Sequence, residues 1–288
     1  MSDGVSGRAS FWREALHELK LFVKVEWQWV ALFAALAAIK QLLMAANFDT
    51  NELVNRLKEA QGNYGQSIAV FNQFLPHIIL STLSDLTIAA LATYTFTVLY
   101  LRQFAQATVP ALTAANFFYW LGKVAQKYWK LSWPFLLGVL IYVGFDALKA
   151  ADSVMNVVVF LLVLASMAWV FYFYYGLYLL YLVTPLAVLR RDDVMKTSSE
   201  LTKVHLWRIW WGSVMVIVVL FIVFFIPLAA NAWVTGQYGA TSAPAQALSS
   251  IVQGAWRALA EVALAIYACT VYRILLQEQK NLSVSEKQ

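Results

Sequence analysis

Six ionisable side chains, Lys40, Asp85, Asp146, Lys149, Arg257 and Glu261, fall inside or at the ends of long apolar stretches. An ionised group in hydrocarbon is expensive, so each must be paired, face a polar cavity or serve a pathway. At the helical rise, Lys40 and Asp85 lie at similar depths, roughly 9 to 10 Å inside their stretches, and can pair. Arg257 and Glu261 are one helical turn apart. Two chemistries fit this pattern. In one, the six line a polar chamber that holds a charged ligand or relays protons. In the other, Lys40 with Asp85 and Arg257 with Glu261 are neutral pairs that fix helix register.

A second set is basic. Lys123, Lys127 and Lys130 recur at helical spacing opposite Phe117, Leu121, Val124, Tyr128 and Leu131, and residues 103 to 133 contain no acid. A helix with an apolar stripe and an all-positive face suits a membrane surface, each lysine adding about 1 kcal/mol near anionic headgroups. These three lysines are therefore candidate lipid-headgroup contacts. Residues 11 to 24 repeat the design, with Trp12, Leu16, Leu19 and Val23 set against Arg13, His17, Lys20 and Lys24. A tyrosine stripe, Tyr174, Tyr178 and Tyr181 with Tyr172 and Tyr175 beside it, reads either as packing or as the lining of a lumen.

Other chemistries lack residues. His17, His77 and His205 stand alone, and Cys269 is the only cysteine, so neither a metal site nor an intrachain disulfide is expected. There is no Gly-x-Ser-x-Gly elbow, phosphate loop, His-Glu-x-x-His or Cys-x-x-Cys. No catalytic residue, no cofactor and no enzymatic activity are expected.

Composition dictates the scaffold that holds these side chains. Of 288 residues, 61% are hydrophobic and only 13% charged, with a mean hydropathy of +0.63, which excludes a soluble globular domain and a disordered chain. A hydrocarbon core about 30 Å thick needs about 20 apolar residues in helix. Six stretches qualify, at 27 to 46, 78 to 101, 134 to 150, 155 to 184, 209 to 230 and 251 to 275. The fourth is long enough to tilt or project as far as Pro185. The expected fold class is all-α, a polytopic membrane protein of six transmembrane helices with amphipathic interfacial helices on the cytoplasmic side. Its parts are an N-terminal amphipathic segment (1 to 26), a membrane domain (27 to 275) and a polar tail (276 to 288).

Positive residues are retained on the cytoplasmic side. Residues 1 to 26, 102 to 133, 185 to 208 and 273 onward hold 16 of the 21 Lys and Arg, which places both termini in the cytoplasm and makes nucleic acid an unlooked-for partner. Trp27, Trp29, Trp129, Trp133, Trp207, Trp210 and Trp211 fall where those span ends meet headgroups. The first 26 residues lack the short apolar core of a signal peptide. Three units of surface helix plus span pair, starting near Phe11, Phe117 and Val194, suggest a threefold plan. The outer connections read as a polar segment with a short helix (47 to 77) and an uncharged loop (231 to 250).

In the segment 184 to 211, "TPLAVLRRDDVMKTSSELTKVHLWRIWW", a span ends at a proline and a Ser-Ser-x-Leu-Thr pattern leads into the next span. In "EVALAIYACTVYRILLQEQK" a tyrosine-bearing end runs into Arg273 and Gln277. These features resemble the YciC-like family of bacterial inner-membrane proteins, related to the membrane domain fused to some glycerophosphodiester phosphodiesterases. The resemblance extends over most of the chain, although the Pro-Gly turn common between the family's third and fourth spans is missing here. It implies a multi-pass inner-membrane protein and carries no chemistry with it. The sequence thus supports a non-enzymatic integral membrane protein that binds anionic lipid or a membrane partner. Alternatives are a small transporter or channel built on the outer-half charges and, third, a membrane-embedded enzyme.

Overall fold

The computed structural model describes residues 10–47, 50–60, 64–105, 107–147, 152–191, 193–239 and 242–285. Every regular element among them is helical: α1 (Phe11–Val25), α2 (Trp27–Asn47), α3 (Thr50–Glu59), α4 (Tyr64–Gln103), α5 (Ala114–Ala147), α6 (Asp152–Leu179), α7 (Val183–Val188), α8 (Val194–Thr202), α9 (Leu206–Tyr238) and α10 (Ala243–Ser285), with a 3₁₀ turn at Lys203–His205. Four segments are long and apolar enough to cross a membrane, namely Trp27–Met44, Asn72–Gln103, Val194–Tyr238 and Ala243–Lys280. Leu164–Leu179 is a shorter apolar helix. On α9, Phe225 and Ile226 are 68% and 76% exposed, and Leu80, Leu83 and Leu86 form an exposed apolar row on α4. A surface of that kind is stable against hydrocarbon and not against water.

The chain folds into two compact units. One contains Thr97–Ser213 and Ala268–Gln288 with the residues up to Phe11, and its centre is Tyr100, Leu101, Leu182, Leu186, Ile209 and Leu275. The other contains Trp12–Phe96 and Val214–Tyr267. In this second unit Phe96 meets Phe22 and Phe33 edge-on, at ring separations of 6.0 and 5.4 Å, and Trp256 receives Phe221 and Phe224 in the same way. Gly254 lets α10 touch the α2 backbone: a Cβ there would stand 2.5 Å from the Ala34 carbonyl oxygen and 2.8 Å from the Ala38 nitrogen.

Helix ends differ from the sequence expectations in instructive ways. The segment 231 to 250, expected as a loop, is helical as far as Tyr238 and again from Ala243. Its uncharged small residues favour helix once alanine dominates, and Gly239, at φ 80°, takes the left-handed position that closes α9. The helix carrying the second stretch begins at Tyr64, well inside the expected polar connection, and runs through Pro76. Conversely α6 stops at Leu179 instead of reaching Pro185, which sits in the first turn of α7, where its missing N–H costs no helical bond. Helices begin at Phe11, Ala114 and Val194, against the expected starts near Phe11, Phe117 and Val194, but only α1 and α8 are separate short helices. The middle one is continuous with the apolar stretch beyond it, the two forming α5 through Pro134. On α1 the buried stripe is Phe11, Ala15, Glu18, Leu19 and Phe22, so Leu19 alone of the four expected apolar positions is buried.

The indoles of Trp207, Trp210 and Trp211 stack at the start of α9, with Trp207 and Trp210 4.8 Å apart and nearly parallel. Trp207 and Trp211 are exposed on their outer faces.

Candidate functional site

The site begins with the start of α5. The Thr113 hydroxyl accepts the backbone N–H of Asn116 at 3.3 Å, the N-cap arrangement that satisfies an orphan donor of the first turn. The Asn116 side chain donates to the Ala111 carbonyl at 2.8 Å and accepts from the Arg190 guanidinium. Arg190 and Lys123 both approach the Tyr119 ring, at 5.0 and 5.7 Å. The helix so anchored carries the lysines at 123, 127 and 130.

A cavity of about 500 Å³ opens between α5, α6 and α8. From α5 come Lys123, Gln126 and Lys130; from α6, Tyr172 and Tyr175; from α8 and its lead-in, Asp193, Lys196 and Ser199. Its apolar floor is Leu131, Gly176, Leu179 and Leu180. Gly176 brings α6 against the Leu131 side chain, and the Trp169 indole donates to the Leu131 carbonyl at 2.9 Å. Three ammonium groups, one carboxylate and several hydroxyl and amide groups around an apolar floor can hold a group with a negative head, donors of its own and a hydrocarbon continuation.

Lys127 is not among the lining residues. It is only 7% exposed, on the same stripe as buried Trp120 and Leu131, and its ammonium lies 5.4 Å from the Tyr128 ring centre. The amphipathic reading places all three lysines on one outward face. In fact positions 120, 127 and 131 coincide on a helix of 3.6 residues per turn, and this face packs inward, while 123 and 130 flank it. Burial pushes the Lys127 ammonium down to about 8.

The third wall depends on the Ser-Ser-x-Leu-Thr pattern of Ser198 to Thr202. The Ser198 hydroxyl accepts the Leu182 N–H and donates to the Leu179 carbonyl, each at 3.2 Å, and Thr202 donates to the same carbonyl at 2.6 Å. Both hydroxyls are buried, and together they satisfy backbone groups freed where α6 stops. The neighbouring Ser199 is turned to the cavity. Asp193, at the N-terminus of α8, holds a left-handed backbone with φ 48°, uncommon for a residue with a Cβ.

In the other unit the apolar helices bring charges together. Lys40 Nζ stands 3.0 Å from Asp85 Oδ2 and 2.9 Å from the Ser81 hydroxyl. The Arg257 guanidinium bonds the other Asp85 oxygen. Glu261 accepts from the Thr93 hydroxyl at 2.8 Å. Arg257 attracts Glu261 as expected, but its direct partner is Asp85: the long arginine reaches across to α4, and Glu261 accepts from a neutral donor on that same helix. Lys40, Asp85 and Arg257 form one cluster with Glu261 a turn away on α10. Lys149 and the side chain of Asp146 lie outside the described residues. No group of three or more His, Cys, Asp or Glu able to hold a metal occurs among the described residues.

Sequence reasoning misses Asp193, Lys196 and Ser199 as cavity residues, and it places the tyrosine interest one stripe away. Tyr178 instead meets Ser213 at 3.2 Å and stacks near Tyr181. The signal present in the sequence is Lys196 beside a polar, hydroxyl-rich segment directly after a span. No family model, no curated protein and no solved structure matches this chain.

Proposed function

We propose that this chain is a non-enzymatic, multi-pass membrane protein that binds an anionic phospholipid headgroup between α5, α6 and α8. The observation that carries the proposal is the convergence of Lys123, Lys130 and Lys196 on one cavity with an apolar floor. Phosphate oxygens accept from the ammonium groups, Asp193 and Ser199 meet hydroxyl or amine donors of the headgroup, and the acyl chains leave along leucines. The proposal includes six spans, the third being the part of α5 from residue 134 onward and the fourth lying on α6, cytoplasmic termini, and insertion in a bacterial inner membrane as the positive-inside pattern and the YciC-like resemblance suggest. The Lys40, Asp85 and Arg257 cluster is assigned a structural role in this reading, because its carboxylate is engaged by two cations at once.

Native mass spectrometry of the chain extracted with its own lipids tests this. The wild type is expected to retain a defined anionic phospholipid that a Lys123→Gln, Lys130→Gln, Lys196→Gln variant loses, while Lys127→Gln leaves the retained lipid unchanged. Retention indifferent to the triple change would overturn the assignment.

A further inference from the structure

A second basic cavity, about 660 Å³, lies in the same unit where the end of α4, the segment after α7 and the last turns of α10 meet. On α10 the residues Arg273, Gln277 and Lys280 recur at spacings of four and three, so they share one stripe facing it. Arg191 enters from the segment after α7, next to Arg190, whose left-handed backbone (φ 51°) turns the chain there. Thr108 and Phe104 complete the part of the wall used here. No acid lines this cavity among the described residues. Glu278, the acid nearest in sequence to that stripe, is turned to Arg208 at 2.8 Å and His205 at 3.8 Å. Arg191 also borders an adjoining cavity that contains Glu200.

We infer that this cavity is a phosphate site, separate from the α5–α6–α8 cavity. Two guanidinium forks and an ammonium around a polar pocket match the oxygens of a phosphate or diphosphate group, which arginine can hold by strong, geometrically specific bidentate hydrogen bonds. Gln277 and Thr108 supply further donors to ester or hydroxyl oxygens. The group is carried either by a water-soluble phosphorylated molecule or by a lipid headgroup, and the chemistry of recognition is shared.

The experiment titrates pyrophosphate into the full chain held in phosphatidylcholine discs, with calorimetric detection. Binding by the wild type is expected, with affinity at least tenfold lower in an Arg191→Gln, Lys280→Gln variant and unchanged in a Lys20→Gln variant, whose exposed lysine lines neither cavity. Arg191 and Lys280 are both exposed, so their replacement leaves the fold intact, and unchanged thermal midpoints verify this. Lys280→Glu alone gives a second reading of the same effect. Repeating the titration in discs containing phosphatidylglycerol identifies the source: competition assigns the site to lipid headgroups, and undiminished binding assigns it to soluble phosphates. Absence of pyrophosphate binding, or equal binding by the Arg191→Gln, Lys280→Gln variant, overturns the inference. Because neutral discs hold no anionic lipid, this failure would be distinct from failure of the headgroup assignment to the first cavity.

Discussion

Replacing Lys127 by methionine is expected to stabilise the protein at neutral pH. The methionine retains an apolar stem on the buried stripe of Trp120 and Leu131 and removes an ammonium whose charged form burial disfavours. The group falls from 10.5 to about 8 on folding, which at 1.36 kcal/mol per factor of ten corresponds to roughly 3 kcal/mol. Below pH 8 the lysine is charged in both states and the native state bears the whole penalty. Between about 8 and 10.5 the unfolded state binds more protons than the native one, so wild-type stability rises with pH. Above 10.5 both states are neutral and the penalty has gone. Reversible unfolding in zwitterionic micelles, followed by circular dichroism at pH 6.5, 9 and 11, measures the difference between wild type and Lys127→Met. It is expected at about 3 kcal/mol in favour of the variant at pH 6.5 and to shrink toward zero by pH 11. Lys130→Met, at an exposed position on the same helix, serves as the comparison variant. A difference independent of pH, or a variant less stable than wild type at pH 6.5, would refute the reasoning.

Gly254→Ala is expected to cost about 1–3 kcal/mol or more by overpacking, since the atoms it meets belong to the α2 backbone and cannot rotate away, whereas Gly122→Ala, with open space around it, should be neutral or stabilising; thermal midpoints compare the two. Asp85→Asn should destabilise more than Lys40→Met, because the first leaves two cations facing each other and the second leaves a neutral Asp85 and Arg257 pair; denaturation of the two single variants and the double variant decides this. Ser198→Ala and Thr202→Val should each lower stability by about 1–2 kcal/mol through backbone groups left unsatisfied, while Ser199→Ala leaves stability unchanged and weakens only lipid retention.

The helical class is legible in the sequence because apolar runs of spanning length admit no other backbone in lipid. So is the contact of Lys40 with Asp85, since depth along a helix derives from residue number alone. The illegible part is lateral. The i,i+4 rule sees only one helix, so it gives Arg257 to Glu261 when a carboxylate on another helix is within the reach of its side chain. Equally, charge pattern identifies Lys123 and Lys130 but counts Lys127 with them, because which stripe of α5 packs inward depends on neighbours that pattern does not name. Ser198 is visible as part of a motif, yet its work, catching the end of α6, requires knowing that α6 stops at Leu179. The segment 231 to 250 misleads for a compositional reason, as small uncharged residues serve loops and helices alike.

The stacked indoles of Trp207, Trp210 and Trp211 make the entrance to α9 a built-in optical label. Indoles 4.8 Å apart couple their transitions, so the dichroism and fluorescence of the cluster depend on the geometry of the stack. The signal originates beside Arg208 and Ser213, on the helix that directly succeeds the cavity wall of α8. Rearrangements at that junction can therefore be timed in the native chain, with no attached dye.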